Sequence, residues 1–172
     1  MIVDVAPLPG YPELYGILCA TLQDATNEWR WEINAELGPE ITTWRPRPGG
    51  PSIGAILLHM ITAERYWFEQ VALGRSIPLE DKELLLWDEI DVNEARWPDV
   101  PLKPLSWYFA LQDRFRAVTL EAVKSWASPE TLLEHHGRQT SLRWILGHVI
   151  QHEAYHGGQI VALYTQWNAQ NA

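Results

Sequence analysis

Four stretches of this sequence repeat apolar residues at steps of three and four, which is the spacing of one face of an α-helix. Almost nowhere do apolar and polar residues alternate as they do in a half-buried strand. The first stretch, residues 14–33, has its apolar positions at Leu14, Leu18, Leu22, Ala25, Trp29 and Ile33. The pattern therefore predicts an all-α protein built as a bundle of four amphipathic helices.

Glycine and proline delimit the first two of these helices. The first is expected to end near Gly38-Pro39, because glycine accepts a left-handed cap and proline cannot continue a helix. Ser52 is the expected N-cap of the second helix, which runs to Gly74. The connection between them, residues 40–51, is rich in proline and glycine and is expected to hold at most a short extended stretch.

A long crossover separates the second predicted helix from the third. Residues 75–104 are acidic and contain four prolines, which excludes a tight hairpin and leaves room for a short helix at 80–87. Ser106 is the expected cap of the third helix. That helix should end near Trp126, before a helical restart at residues 128–130.

The fourth predicted helix is the longest. A loop at residues 134–139 leads to Thr140 or Ser141 as its cap, and it runs to about Trp167. No internal repeat or low-complexity tract divides the chain. At this length a single domain over residues 1–172 is expected.

Composition excludes several classes of partner. Lys and Arg number 13 against 22 Asp and Glu, a formal net charge of −9, whereas nucleic acids and anionic membranes attract clustered basic residues. Apolar runs such as 55–58 fall far short of the ~18 residues of a membrane span. One cysteine, Cys19, cannot form an internal disulfide, and the N-terminus lacks the pattern of a signal peptide, so a cytoplasmic protein is expected. The 10 tryptophans predict thick helix interfaces or an aromatic-walled pocket.

Three histidines lie four positions apart on the fourth predicted helix: His148, His152 and His156. Side chains at i and i+4 share a helix face, so two such imidazoles can bind one divalent ion such as zinc, nickel or ferrous iron. The third protein ligand is expected to be His59, which lies on the apolar stripe of the second helix. A buried imidazole needs a polar partner, and a shared metal ion provides one. We therefore predict a metal site formed by His59, His152 and His156, with His148 orienting a ligand or packing near the end of the bundle.

Residues 152–156 also match H-E-x-x-H, the zinc-peptidase motif in which the glutamate is the general base. The 16 residues after His156 contain no His, Asp or Glu that would complete such a site. The extended form of the motif would require glycine at Gln159 and histidine at Ala162. A peptidase is therefore disfavoured, and Glu153 is expected to be a solvated residue on the helix surface.

Other motifs fit structural roles better. Residues 50–54 match the G-x-S-x-G nucleophile elbow, but no predicted strand precedes them, so Ser52 is better explained as a helix cap. His135 and His136 fall in a predicted loop and are expected to be solvated. Cys19 has no adjacent cation and is expected to be a small buried hydrophobe.

Two segments together resemble the DinB/YfiT-like metalloenzyme superfamily. They read GPSIGAILLHMITAERYWF and SLRWILGHVIQHEAYHGGQI, at residues 50–68 and 141–160. Members of that superfamily are four-helix bundles in which one histidine of the second helix and two of a later HxxxH hold a metal ion, commonly just before a Gly-Gln pair. The resemblance implies His59, His152 and His156 as ligands, followed by Gly158-Gln159, and a homodimer. The resemblance also implies an enzyme related to the characterised members of the superfamily. These include thiol S-transferases that use mycothiol or bacillithiol and a mycothiol-dependent maleylpyruvate isomerase.

These observations predict a metal-dependent enzyme, with no general base assigned. Attack of an activated thiol on a small electrophile would make it an S-transferase or isomerase, whereas activation of water would make it a hydrolase. The histidines leave both open, as well as a non-enzymatic bundle that binds a metal or small ligand. Because Cys19 is expected to be buried, the nucleophilic sulfur should come from a low-molecular-weight thiol in solution. The aromatic residues nearest the ligands in sequence would wall the electrophile's side or simply pack: Tyr66, Trp67, Trp144 and Tyr155.

Overall fold

The computed structural model describes residues 4–171, of which most are helical. Six α-helices and two strands follow one another: α1 (Glu13–Trp31), α2 (Pro39–Thr43), α3 (Ile53–Arg65), α4 (Leu79–Leu84), α5 (Leu105–Val123), β1 (Leu132–His135), β2 (Arg138–Ser141) and α6 (Leu142–Asn171). A π-helical segment, Tyr66–Val71, continues α3. The mostly helical fold agrees with the periodicity of the sequence. None of the described helices combines the length and apolarity needed to cross a bilayer.

The four longest helices are α1, α3, α5 and α6, and each of them packs against at least one of the others. Helix α1 packs against α6, and α3 packs against both α5 and α6. One group of buried apolar side chains lies between α3 and α5 and includes Ile56, Leu57 and Tyr108. A second group surrounds Tyr15 and the fully buried Cys19. Cys19 is therefore the small buried hydrophobe that the sequence predicts.

Two helix starts follow the predicted caps and one does not. The Ser52 hydroxyl accepts a hydrogen bond from the Ala55 amide at 3.3 Å, and Ser141 likewise caps α6. The prediction for Ser106 is wrong, because α5 already begins at Leu105 after Pro104. Proline fixes φ near the value required just before or within the first turn, so it starts a helix without a side-chain cap.

Strands β1 and β2 form an antiparallel hairpin where a loop at residues 134–139 was expected. The turn is made by His136 and Gly137, which both have positive φ, the backbone form that matches the twist of a two-residue hairpin. The expected helical restart at 128–130 is also wrong, and α5 ends at Val123.

The connections contain more helix than the sequence pattern indicates. Residues 40–51 were expected to hold at most an extended stretch, but α2 occupies their start, with Pro39 in its first turn. The short helix expected at 80–87 is present as α4. The crossover between α3 and α5 is long, as expected.

Candidate metal centre

Three imidazoles converge where α3 packs against α6. One ring nitrogen each from His59, His152 and His156 lies within 4.8 Å of the other two. The Nε2 atoms of His59 and His152 are 3.0 Å apart. The two helices run antiparallel, since His59 meets His152 whereas Trp67, in the π-helical segment that continues α3, meets His148, which is earlier on α6. This packing brings together the three residues that the sequence singled out.

The orientation of His156 is set by its own helix. Its Nδ1 lies 2.8 Å from Oε1 of Gln159, three residues later on the same face. An amide oxygen only accepts, so His156 donates from Nδ1 and keeps the lone pair of Nε2 free. This is the outer hydrogen bond that metal-binding histidines usually make. Gln159 therefore orients the His156 ring. The sequence had singled out Gln159 only as part of a Gly-Gln pair.

Burial keeps the three imidazoles neutral. Burial first, and then the charge of neighbouring histidines, lowers the pKa of His59 to about 4 and that of His152 to about 2. The pKa of His156 is also lowered by burial. Neutral imidazole is the form that binds divalent metals, and a cation shared by the facing nitrogens of His59 and His152 would satisfy both. The donor set therefore fits zinc, nickel or ferrous iron.

The three histidines line a cleft of about 1000 Å³. Its walls are α3, α6 and the part of the crossover that contains Trp87 and Trp97, and the Trp97 ring meets His59 edge-on with 6.1 Å between centroids. Arg45 anchors this part of the crossover by donating to the carbonyl oxygens of Trp97 and Pro98 at 3.0 and 2.6 Å. Sequence reasoning missed both tryptophans, because their contact with the cleft joins distant parts of the chain.

The lining of this cleft mixes polar and aromatic side chains. Arg47, in the loop before α3, and Gln159 of α6 both belong to it. Tyr66 and Trp67 line it as well, and Trp67 meets His148 edge-on. The cleft thus offers polar and cationic groups as well as aromatic rings.

His148 lies beyond the three-nitrogen group. Its ring stacks on Trp144, with planes within 6° and centroids 4.8 Å apart, and meets Trp67 edge-on. The centroids of His148 and His152 are 6.3 Å apart. The structure thus packs His148 among aromatic rings next to the candidate ligands.

The two histidines of the hairpin differ from each other. His136 is exposed, as expected. His135 is half-buried, with its Nε2 3.3 Å from the Tyr66 hydroxyl, and its ring packs against Trp67. The expectation that His135 is solvated is wrong, because the hairpin folds back onto the end of α3.

The expectation for Glu153 is also wrong, since its side chain is only 2% exposed. Its Oε1 accepts from the Thr26 hydroxyl at 2.7 Å and from Trp29 Nε1 at 2.9 Å. Its Oε2 lies 3.0 Å from Nη2 of Arg116. These partners lie on α1 and α5, and Glu153 is absent from the cleft lining. The glutamate of the H-E-x-x-H match is therefore not positioned as a base at the histidines.

Neither alternative nucleophile faces the cleft. Ser52 is fully buried as the cap of α3. Burial raises the pKa of Cys19 to about 12, and the negative charge of Glu64 adds to the shift. A thiol with that pKa is protonated and unreactive at neutral pH.

Comparison with known families gives a match over most of the chain. A family model described as Mycothiol-S-transferase matches residues 17–166, which is most of the chain and includes all three clustered histidines. No curated protein matches the chain.

Proposed function

The chain belongs to the mycothiol S-transferase family, within the DinB/YfiT-like superfamily, and we propose that it transfers a low-molecular-weight thiol to a small electrophile. Mycothiol is the first thiol to consider. The observation that carries the proposal is the convergence of three imidazole nitrogens within 4.8 Å in the wall of a large cleft. His59, His152 and His156 would bind one divalent metal ion per chain.

The fold proposed with this function is a single-domain four-helix bundle of the DinB/YfiT-like type. Its members would be α1, α3, α5 and α6, with the long crossover between the second and third of them. The packing of α1 on α6, and of α3 on α5 and α6, supports this arrangement. The bundle would bring one histidine from α3 to two from α6.

The protein's own residues prepare the site. Burial holds the three imidazoles neutral, and Gln159 accepts from Nδ1 of His156, so that each ring can offer a lone pair. A divalent ion bound there would lower the pKa of a thiol below its usual ~8.5 and favour the thiolate at neutral pH. Trp97 meets His59 edge-on and forms part of the cleft wall beside it.

The reaction would join the sulfur to an electrophilic carbon. The leaving group departs with the electron pair of its bond, and the proton of the thiol passes to it or to solvent. The polar lining residues Arg47 and Gln159 suit the hydrophilic body of the thiol. The aromatic lining residues Tyr66 and Trp67 suit an apolar electrophile.

The test begins with metal analysis of the purified protein and a conjugation assay with mycothiol and a panel of electrophiles. We expect bound metal, and turnover that needs thiol and metal together. His59→Ala and His152→Ala should lose both metal and turnover. His136→Asn is the matched control, because His136 is exposed and asparagine tolerates its left-handed backbone.

Two results would contradict the proposal. Wild-type protein that retains no divalent metal would refute the metal site. Full turnover of an ester or amide substrate by metal-loaded protein without any thiol would instead favour a hydrolase.

A further inference from the structure

A buried ionic cluster joins the two helices that carry the histidines. Arg116 of α5 donates from Nε to Glu64 of α3 at 2.7 Å, and its Nη2 lies 3.0 Å from Glu153 of α6. The three residues Arg116, Glu64 and Glu153 are 7%, 5% and 2% exposed, respectively. One guanidinium thus bridges α3 and α6.

The other carboxylate oxygens of this cluster also accept hydrogen bonds. Thr119 donates to the other oxygen of Glu64. Glu153 accepts from Thr26 and Trp29 of α1 and from Gln112 of α5. Each of the four long helices therefore contributes to one network of directed hydrogen bonds.

The cluster lies behind the histidines. Glu64 follows His59 by five residues and Glu153 follows His152 by one, which at about 100° per residue places them roughly 140° and 100° around their helices from these two histidines. Glu64 and Glu153 are also absent from the cleft lining. The network therefore contacts the backs of the two ligand-bearing helices.

Stability alone does not explain such a cluster. Removing charged groups from water costs free energy, and replacing a buried ion group by apolar side chains is often neutral or stabilising. Apolar contacts, however, allow helices to slide and rotate, whereas bonds in fixed directions define one arrangement. A site that needs His59 Nε2 within bonding reach of a metal shared with α6 requires such an arrangement.

We propose that Arg116, with Glu64 and Glu153, is a positioning residue that sets the separation and rotation of α3 and α6 and so preorganises the three-histidine site. This inference rests on the proposed metal site. The cluster would thus determine the affinity and geometry of metal binding and would not be needed for the stability of the fold.

The first test removes the charges together. The triple variant Glu64→Leu, Arg116→Met, Glu153→Gln keeps an amide oxygen for Trp29 and Thr26, and Thr119 can still donate to the Phe115 carbonyl oxygen. We expect the metal-free variant to unfold at the wild-type temperature or above. Its cobalt affinity, measured against a chelator, should fall about 10- to 100-fold, and the visible spectrum of the bound Co²⁺ should change. Wild-type affinity and spectrum would overturn the proposal.

A second test covers failure of the triple variant to fold. Glu153→Gln is compared with Asp81→Asn, whose carboxylate is 8% exposed and accepts from Arg65 at 2.6 Å, outside the cleft lining. Glu153→Gln should weaken cobalt binding and shift its spectrum beyond any change in the control, after allowance for the loss in unfolding temperature. Equal changes in the two variants would overturn the proposal. Wild-type protein that binds no cobalt would instead refute the metal site itself, and the two failures are thus distinguishable.

Discussion

Among the three glycines of α6, Gly157 is the one at which an added side chain has least room. A Cβ added there would lie 2.4 Å from Cδ1 and 2.5 Å from Cγ of Trp29. The indole cannot swing aside freely, because its Nε1 donates to the buried Glu153 at 2.9 Å. Ordinary carbon contacts need about 3.5–4.0 Å, so Gly157→Ala must separate α1 and α6 locally by about 1 Å.

The expected cost combines two opposed effects. Forcing a methyl group into a packed core costs about 1–3 kcal/mol, whereas alanine is favoured over glycine inside a helix by about 1 kcal/mol. We therefore expect Gly157→Ala to lower the free energy of unfolding by up to about 2 kcal/mol. Because His156 is the preceding residue, metal affinity should fall as well.

The assay is urea unfolding of the metal-free protein, together with a metal titration. Gly158→Ala and Gly147→Ala are matched controls on the same helix, since an added Cβ at either position meets nothing within 4 Å. Both should raise the free energy of unfolding by about 0.5–1 kcal/mol. If Gly157→Ala gains stability like these controls and binds metal as the wild type does, the reasoning is refuted.

Three further predictions concern single groups. Gln159→Leu should weaken metal binding about 10- to 100-fold in a chelator competition, because Nδ1 of His156 loses its acceptor at 2.8 Å. Cys19→Ala should keep thiol-transfer activity, and native Cys19, with its pKa raised by burial to about 12, should resist alkylation at pH 8 until the protein is unfolded. In the metal-free protein, burial lowers the pKa of His59 to about 4 and that of His152 to about 2. An exposed imidazole has a pKa of ~6.5, so below pH 6.5 the unfolded state binds more protons at these two residues than the folded state does. The free energy of unfolding in urea should therefore be level above about pH 6.5 and fall between pH 6.5 and pH 4, and a level profile there would contradict the assignment.

The features that the sequence predicted well are local ones. A spacing of four places His152 and His156 on one face of any helix, and His59 stood out because it interrupts an apolar stripe. The helix caps at Ser52 and Ser141 likewise depend on only a few adjacent residues. These signals were sufficient to choose the three histidines that the structure brings together.

The features that were missed depend on residues far apart in the chain. Glu153 looked like a surface residue because its helix pattern does not reveal that α1 and α5 bring Trp29 and Arg116 to it. Trp97 meets His59 only through the path of the crossover. The hairpin was not predicted because its strands have four residues each, which is too short for a clear alternation of apolar and polar residues.

The crossover that carries Trp87 and Trp97 has a consequence for how proteins of this kind can diversify. The histidines lie on two long helices, whereas much of the facing wall of the cleft belongs to a connection held by Arg45. Mutations that lengthen, shorten or re-sequence this connection leave the helices and their three histidines untouched. Selection can therefore change the shape and chemistry of the cleft almost independently of the histidine cluster, as antibody loops vary on a constant framework.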